Sequence, residues 1–273
     1  MYSPYKASHR IGNIGAPLPT PYELFDDRRV KVTFRRGSVS MIAGVPGSFK
    51  TALALNLVKA WADKDVCTQY FSVDSDESTI TQRLSGIITG YNMDEVENRL
   101  QRDRTYFDQE LYDKLGDNVC FEYINMGWEP MVYHVKSFEQ KFGGYPDLIV
   151  IDNLIDLASS VYAFDEMQEI IKNADGLAKK TKAHVMILHH AKLASEERKN
   201  NDERADWEVY GMPPADHEIQ GKMTQFPTLV LTLGAYGMDI RMAVVKNRFG
   251  PQHRNADVSY PFRVNYSMRV VEA

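Results

Sequence analysis

The sequence predicts an α/β domain in which a largely parallel β-sheet is covered by helices on both faces. Short apolar runs of strand length alternate with helix-forming stretches, and strands joined by helical crossovers lie parallel to one another. The 273 residues are 44% hydrophobic and 25% charged, a composition typical of folded globular proteins. A loop at 44–51, which contains two glycines, connects the first strand-like run to the first long helical stretch.

The composition also excludes several classes of protein. There are 32 Lys and Arg against 37 Asp and Glu, a net charge of −5, which argues against binding nucleic acid through bulk positive charge. The two cysteines, Cys67 and Cys120, are too few for a disulfide scaffold or a cysteine zinc site. The N-terminus lacks the apolar segment of a secretory signal, and no apolar stretch approaches the ~20 residues of a membrane span. We therefore expect a soluble, cytoplasmic protein.

The first 37 residues are rich in turn-forming proline and glycine. We expect 1–37 to form a short arm or linker that packs on the surface or on a neighbouring subunit, and 38–273 to form the α/β domain. The predicted strands of the domain are 38–45, 67–74, 119–125, 147–152, 184–190, 228–233 and 240–245. The predicted helices are 51–62, 78–89, two pieces within 94–115, 131–142 and 166–180.

The loop 44–51 follows a strand and precedes a helix, which is the position of a phosphate-binding loop rather than of an ordinary turn. The N–H groups of such a loop and of the helix N-terminus surround an anionic phosphate. Lys50 would contact the β- and γ-phosphates, and the Thr51 hydroxyl would bind Mg²⁺. Phe49 replaces the second glycine of the consensus G-x-x-x-x-G-K-[ST] and resists positive φ, so we expect a reshaped loop. The candidate nucleotide-binding residues are Gly44, Val45, Pro46, Gly47, Ser48, Phe49, Lys50 and Thr51.

Polar residues also follow the other strands, at the edge where parallel sheets bind ligands. Asp74 is the candidate base that orients an attacking water, and Asp76 is either a metal ligand or an acid that begins the next helix. Asp152 is a candidate to hold Mg²⁺ through water, with an Asx turn as the alternative. His189 and His190 are candidates to contact a γ-phosphate. Because adjacent strand residues point to opposite faces, at most one of the two should face the site.

Two further regions carry candidate functional residues. Lys246 and Arg248 form a pair that can act on a phosphate across a subunit boundary, as an arginine finger does, although solvated strand ends are also common. The segment 192–226 has no clear periodicity, and so long a loop is usually functional or mobile. Its acids outnumber its lysines and arginines. The candidate DNA-binding residues within it are Arg198, Lys199 and Lys222.

The order of these motifs resembles that of RecA-like P-loop ATPases. The matching motifs are GVPGSFKT, FSVDSDE, LIVIDN, ILHHAK and VVKNRFG, which together span about 38–250. The similarity is greatest to hexameric replicative helicases of the DnaB and RepA type, in the compact forms typical of phage genomes. The resemblance implies ATP and Mg²⁺ as cofactors, a location in the host cytoplasm if the gene is a phage gene, and a homo-oligomeric, hexameric ring that favours single-stranded DNA.

The resemblance also implies roles for individual residues. Asp152 is the Walker B acid, and either His189 or His190 stands at the sensor position. Asp74 stands where the family has its catalytic glutamate and is one methylene shorter. The pair 246 and 248 matches a K-x-R motif that acts in trans, and the DNA-binding loops of the family fall within 192–223.

These expectations lead to one principal function and two alternatives. The principal expectation is an ATP-dependent DNA helicase or translocase of replication or recombination, which hydrolyses ATP at a subunit interface. The second is a metal-dependent DNA nuclease on the same scaffold, in which Asp74, Asp76, Asp152 and a histidine hold one or two metals. The third is a helicase loader or recombination mediator that binds nucleotide only as a structural switch.

Overall fold

The computed structural model describes residues 15–123, 127–160, 162–192 and 211–273. Its strands are β1 (Val39–Gly44), β2 (Thr68–Ser72), β3 (Val119–Glu122), β4 (Leu148–Asp152), β5 (His184–His190), β6 (Leu229–Tyr236), β7 (Asp239–Asn247), β8 (Tyr260–Val264) and β9 (Val270–Glu272). They form one sheet in the order β3-β2-β4-β5-β1-β6-β7-β8-β9. In this sheet order, each neighbouring pair from β3 to β6 is parallel. The remaining pairs, β6–β7, β7–β8 and β8–β9, are antiparallel. The predicted largely parallel sheet is thus confirmed.

Helices cover both faces of this sheet. They are α1 (Glu23–Asp26), α2 (Lys50–Ala62), α3 (Glu77–Thr89), α4 (Met93–Arg102), α5 (Arg104–Leu115), α6 (Trp128–Phe142) and α7 (Phe164–Thr181). Buried side chains of α2 and α3 form one hydrophobic core with one face of the sheet. Those of α6 and α7 form a second core with the other face. Short 3₁₀ turns follow at 154–157, 216–218 and 220–222.

Local sequence explains where several helices begin and end. The Asp76 carboxylate accepts a hydrogen bond from the Thr79 N–H at 2.7 Å, and Asn92 caps α4 in the same way. Gly90 and Gly143 end α3 and α6 with φ values of 82° and 76°, a conformation that glycine adopts without strain. These signals lie within the segments themselves, so the predicted helices are close to the observed ones.

The N-terminal residues differ from the expected surface arm. Phe25, Val30, Val32 and Phe34 are all at most 3% exposed and belong to the core that contains α2. The Trp61 indole N–H donates to the Pro19 carbonyl at 2.7 Å. Residues 15–37 therefore pack as part of the domain, because their apolar side chains fill the space beside α2 and the last strands. Residues 1–14 lie outside the described part of the chain.

The strands β8 and β9 at the end of the sheet were not predicted from the sequence. Pro261 lies within β8 and cannot donate a ladder hydrogen bond, which is tolerated near a sheet edge but obscures the strand pattern. The adjoining turn brings Met268 back to α2, where its carbonyl accepts a hydrogen bond from the Asn56 amide at 2.8 Å. In the described residues, no helix has both the length and the apolar character that crossing a membrane requires.

Candidate functional site

A cavity of about 280 Å³ opens at the carboxyl edge of the parallel strands, beside the loop that connects β1 to α2. Parallel sheets bind their ligands at this edge. The cavity brings together these residues predicted from the sequence: Pro46, Gly47, Phe49, Lys50, Thr51, Asp74, Asp152 and His190. Its remaining lining, which the sequence analysis did not single out, consists of Ala52, Ser75, Arg83, Asn153 and Met268.

The loop turns tightly between the strand and the helix. A Cβ atom on Gly44 would collide with the Ser48 side chain and lie 2.7 Å from the Leu233 carbonyl oxygen, so close packing requires glycine there. Gly47 has a φ of 81°, in the left-handed region. The Ser48 N–H donates to the Val45 carbonyl at 3.2 Å and closes the turn. The loop thus leads into the N-terminus of α2, where backbone N–H groups lack helical partners and can bind an anion.

Phe49 adopts the positive φ that we expected it to resist. Its backbone has φ 61° and ψ 27°, the left-handed conformation, at the position immediately before α2. Its half-buried ring packs against the same hydrophobic core as α2. A bulky residue in this conformation stores about 1 kcal/mol or more of strain. The burial of the ring offsets that strain in the folded protein.

Lys50 is the buried cation of the site. Lys50 is 8% exposed, and its Nζ donates to the carbonyls of Gly44 and Val45, each at 3.1 Å. Burial lowers the pKa of Lys50 to about 8, whereas the nearby carboxylates of Asp152 and Asp74 act in the opposite direction. The amino group therefore lies at the cavity, in an environment of low polarity that strengthens its attraction for an anion.

Asp152 is the most buried carboxylate of the site. It ends β4, is 3% exposed, and accepts a hydrogen bond from the Tyr70 hydroxyl at 2.7 Å. Burial raises the pKa of Asp152, and hydrogen bonds with Tyr70 and Thr51 oppose that rise. The structure thus joins the predicted Walker B acid to Thr51, the residue that follows the phosphate-loop lysine.

The other carboxylates near the cavity differ in how they are held. Asp74 lines the cavity and is exposed, and its backbone N–H donates to the Asp152 carbonyl at 3.3 Å. Asp76 caps α3 and is not part of the cavity lining, because the helix N-terminus engages its carboxylate. Asp156 lies nearby, and burial followed by the charges of Asp74 and Asp152 raises its pKa. The structure therefore places Asp74 and Asp152 in the site and leaves Asp76, a predicted metal ligand, outside it.

The two adjacent histidines face different surroundings, as strand alternation predicts. His190 lines the cavity, and its Nε2 lies 3.3 Å from the Asn153 amide. The buried His189 donates from Nε2 to the Gln220 carbonyl at 3.1 Å, because a carbonyl can only accept. Burial lowers the pKa of His189 to about 4. His190 is therefore the histidine placed to contact a ligand, and His189 binds the segment that precedes β6.

Arg83 and Met268 are cavity residues that sequence reasoning missed. Arg83 lies in α3, and Met268 lies in the turn between β8 and β9, far along the chain from the phosphate loop. No local motif marks either residue, since each reaches the cavity only through the packing of its element beside α2. Tyr70 was also missed, although strand alternation places it on the same face of β2 as Ser72.

Lys246 and Arg248 lie at the opposite edge of the sheet from the cavity. The strand β7 is antiparallel to β6, and Asn247 pairs with Leu229, the first residue of β6. Lys246 Nζ donates to the Gln225 carbonyl at 3.0 Å, whereas the exposed Arg248 follows the end of the strand. The rise of a strand is about 3.3 Å per residue, so the length of β1 separates the two edges by roughly 16 Å. The structure does not bring this pair to the cavity of its own chain.

The candidate DNA-binding residues are largely outside the described part of the chain. Arg198 and Lys199 fall within 193–210, which is not described, and of Lys222 only the backbone, in the 3₁₀ turn 220–222, is described. The neighbouring Ile219 pairs with Ala191, just after β5. The segment that returns from 193–210 is thus attached at the carboxyl edge of the sheet, beside the cavity.

The donor set at the cavity fits Mg²⁺. This ion keeps several waters and takes only one or two protein carboxylates when a phosphate is also present. Asp152 and Thr51 provide one buried carboxylate and one hydroxyl beside the loop. In the parts of the chain that the structure describes, no group of three or more His, Cys, Asp or Glu side chains is arranged to hold a metal ion.

Comparison with known proteins agrees with this geometry. The family model described as "AAA domain" matches residues 5–196, which is more than half of the chain. The chain belongs to this AAA domain family. This chain is 25% identical over 266 residues to the gene 65 protein of Mycobacterium phage L5. The alignment covers 92% of this chain and 90% of the relative.

Solved structures show the same fold in other proteins. One of them, described as an ATPase domain, aligns with a TM-score of 0.72 and 14% identity, covering 98% of this chain and 95% of that one. A DnaB-like replicative helicase, solved in a study of its interactions with primase, aligns with a TM-score of 0.72 and 15% identity. This alignment covers 96% of the AAA family chain but only 63% of the helicase chain. The AAA family chain therefore has the RecA-like P-loop ATPase fold that its motifs predicted.

Proposed function

We propose that this protein is an ATP-dependent DNA motor that hydrolyses ATP between neighbouring copies of the chain. The observation that carries the proposal is that the two candidate catalytic cations, Lys50 and Arg248, lie at opposite edges of the sheet. Lys50 lies at the cavity with Asp152 and Asp74, whereas Arg248 lies at the far edge of the same chain. Arg83 also lines the cavity, so the need for a second copy rests on Arg248: if Arg248 contacts the phosphates, it must come from a neighbouring chain, as in a ring.

In this proposal the residues of the cavity divide the work of phosphoryl transfer. Lys50 and the N-terminal end of α2 bind the phosphates of ATP, and Asp74 orients the attacking water towards the γ-phosphate. Mg²⁺, held through Asp152 and Thr51, would neutralise charge that develops on the phosphate oxygens. Arg248 of a second copy adds positive charge in the transition state. His190 at the cavity is placed to respond to the γ-phosphate.

DNA is proposed as the partner because the L5 relative is a phage protein and the fold is shared with a replicative helicase. The segment 193–210, which lies outside the described residues, follows β5 along the chain, and His189 of β5 donates to the carbonyl of Gln220, two residues before Lys222. We propose that this segment contacts single-stranded DNA in a hexameric ring. The net charge of −5 means that the contact is local rather than spread over the surface.

The test is to assay the purified full chain for ATP hydrolysis with Mg²⁺, with and without single-stranded DNA, while following the DNA for strand separation and cleavage. The proposal expects hydrolysis that DNA stimulates and DNA that remains uncut. Tight nucleotide binding with no turnover would replace the motor with a nucleotide-switched loader. DNA cleavage that needs a metal but no ATP would replace it with a nuclease.

A further inference from the structure

The hydroxyl of Tyr70 makes a contact that the phosphate-loop motifs do not explain. Tyr70 is fully buried in β2, and its hydroxyl donates to Oδ2 of Asp152 at 2.7 Å. Its ring packs against that of Phe121 in the neighbouring strand, with the ring centroids 5.0 Å apart. Packing therefore holds the phenol in place, and its hydroxyl has one defined acceptor.

The register of the sheet explains how the two residues meet. Tyr70 lies opposite Val150, and Ser72 lies opposite Asp152, in the parallel pair of β2 and β4. Side chains two residues apart on a strand share a face, so Tyr70 and Asp152 project on the same side of the sheet. The long phenol spans the two-residue offset, which an aliphatic residue at position 70 cannot do.

This contact has a consequence for the carboxylate. A buried carboxylate needs donors, and the Tyr70 hydroxyl gives Asp152 one at 2.7 Å, while hydrogen bonding by Thr51 lowers the pKa of the same carboxylate. Tyr70 approaches from within the sheet, whereas Thr51 stands at the cavity. The carboxylate is thus fixed between the core and the phosphate loop. Groups that orient a metal-binding side chain from behind typically change metal affinity or activity about 10–100-fold when they are removed.

We infer that Tyr70 is a positioning residue, whose hydroxyl holds Asp152 in the orientation needed to bind the Mg²⁺ that accompanies a nucleotide. This inference rests on the proposed function, because it assumes that the cavity binds a nucleotide with Mg²⁺. It adds that the protein recruits a side chain from the interior of β2, outside the phosphate loop, to define that metal position.

The experiment measures how much Mg²⁺ strengthens nucleotide binding. The affinity of the full chain for a fluorescent, non-hydrolysable ATP analogue (mant-AMPPNP) is titrated with Mg²⁺ and with EDTA, for the wild type and Tyr70→Phe. We expect the gain in affinity from Mg²⁺ to fall about tenfold in Tyr70→Phe, with the affinity in EDTA unchanged. ATP hydrolysis by the variant should recover at higher Mg²⁺ concentration.

A matched control is Tyr22→Phe, which removes the hydroxyl of a half-buried tyrosine. The Tyr22 hydroxyl donates to the Val270 carbonyl at 3.2 Å and is not part of the cavity lining. This variant should keep the wild-type gain from Mg²⁺, even where it is less stable. Adding Tyr70→Phe to an Asp152→Asn chain should have no further effect on Mg²⁺-dependent binding, because the hydroxyl acts through that carboxylate.

Three results separate this inference from the proposed function. If the wild type does not bind the analogue with or without Mg²⁺, the proposed function is wrong. If the wild type shows the gain and Tyr70→Phe shows the same gain, the positioning role is wrong. A loss of affinity in Tyr70→Phe that is equal in Mg²⁺ and EDTA would also overturn it, since that is the result of a purely structural role.

Discussion

The two edges of the parallel sheet hold their charged residues in different ways. At the carboxyl edge, Lys50 and Asp152 are at most 8% exposed and are bound by neighbouring carbonyls and hydroxyls. At the amino edge, Arg248 is exposed, and Lys246 is half-buried against the carbonyls of the segment before β6. The buried edge has a preformed cavity, whereas the exposed edge presents a cation outward.

This difference indicates what each edge can do. Burial makes the charges at the carboxyl edge strong and fixed, which suits the binding of a phosphate. An exposed arginine is screened by water until another surface covers it, so its effect depends on a partner. Variants at the carboxyl edge should therefore act within a chain, whereas variants at the amino edge should act between chains.

The largest effect is expected for Lys50→Ala. Removal of the buried ammonium takes away the principal positive charge at the cavity, so hydrolysis of ATP should be abolished. The control is Lys59→Ala in the same helix, where the lysine pairs with Asp63 at 2.5 Å and does not line the cavity. Steady-state ATPase assays measure both variants. Wild-type turnover by Lys50→Ala would show that the cavity is not the hydrolytic site.

Arg248→Ala tests the amino edge. If Arg248 acts on a neighbouring copy, hydrolysis should fall about 1,000-fold while nucleotide binding is retained. Mixing this variant with Lys50→Ala should restore part of the activity, because an interface between the two can combine an intact loop with an intact arginine. A mixing series of ATPase assays makes the measurement. Arg263→Ala, at an exposed residue paired with Asp239, is the control and should be nearly neutral.

Absence of rescue on mixing would be evidence against a shared site, provided that the two variants are shown to exchange subunits. A fall in activity with no change in nucleotide affinity would still agree with a role in the transition state. A loss of binding in Arg248→Ala alone would instead place the arginine in its own chain's site, which the geometry of the sheet argues against.

Acid should destabilise the protein through a buried histidine at each edge. Burial lowers the pKa of His184, at the amino edge, and of His189, at the carboxyl edge, from 6.5 to about 4. Each ring is neutral in the folded protein. As the pH falls below 6.5, the histidines of the unfolded chain bind protons before those of the folded protein do. The free energy of unfolding is therefore highest above pH 6.5 and decreases as the pH falls. Each histidine should lower the free energy of unfolding by about 2 kcal/mol between pH 7 and pH 5.

His184→Gln isolates one of these contributions. His184 Nδ1 donates to the Arg35 carbonyl at 2.9 Å, so Nε2 of the neutral ring is the acceptor for the Ser40 hydroxyl at 2.8 Å. Glutamine does not titrate, so the variant should lose about 2 kcal/mol less than the wild type between the two pH values. Urea denaturation at pH 7 and pH 5 measures the difference. An unchanged pH dependence would mean that His184 is not the group responsible.

The smallest effect is expected at Phe49. At an ordinary position alanine is more stable than glycine, but a left-handed backbone reverses that order because glycine has no Cβ. Phe49→Gly should therefore be about 1 kcal/mol more stable than Phe49→Ala, as measured by denaturant unfolding. Both variants lose the packing of the ring, so their difference isolates the strain. Equal stabilities would show that the loop relaxes out of this conformation when the ring is removed.

Much of the fold could be predicted because the signals are local. The strand β5 was predicted with its observed bounds, and α2 was predicted one residue short, at Thr51 rather than Lys50. Strand prediction was poorest where local signals are weak, as in β8 with Pro261. Residues 1–37 were predicted as an arm that packs on the surface or on a neighbouring subunit, because the turn-forming composition conceals four apolar side chains that are buried within 15–37.

The candidate site was only partly predictable. The phosphate loop and Asp74 follow strands, and Asp152 and His190 end strands, so the topology of a parallel sheet brings them together. Asp76 also follows a strand but is held as a helix cap. Residue spacing alone does not distinguish a strand-end acid that lines the cavity from one that caps the next helix.

The sequence by itself determined the alternation of strands and helices and the place of the phosphate loop, because apolar periodicity and turn chemistry act over a few neighbouring residues. Only the tertiary structure decided that Arg83 and Met268 line the cavity, that Tyr70 contacts Asp152, and that Arg248 lies at the far edge of the sheet. Those relations depend on strand order, register and the packing of segments distant in the chain, and they are set by the whole fold rather than by any local stretch.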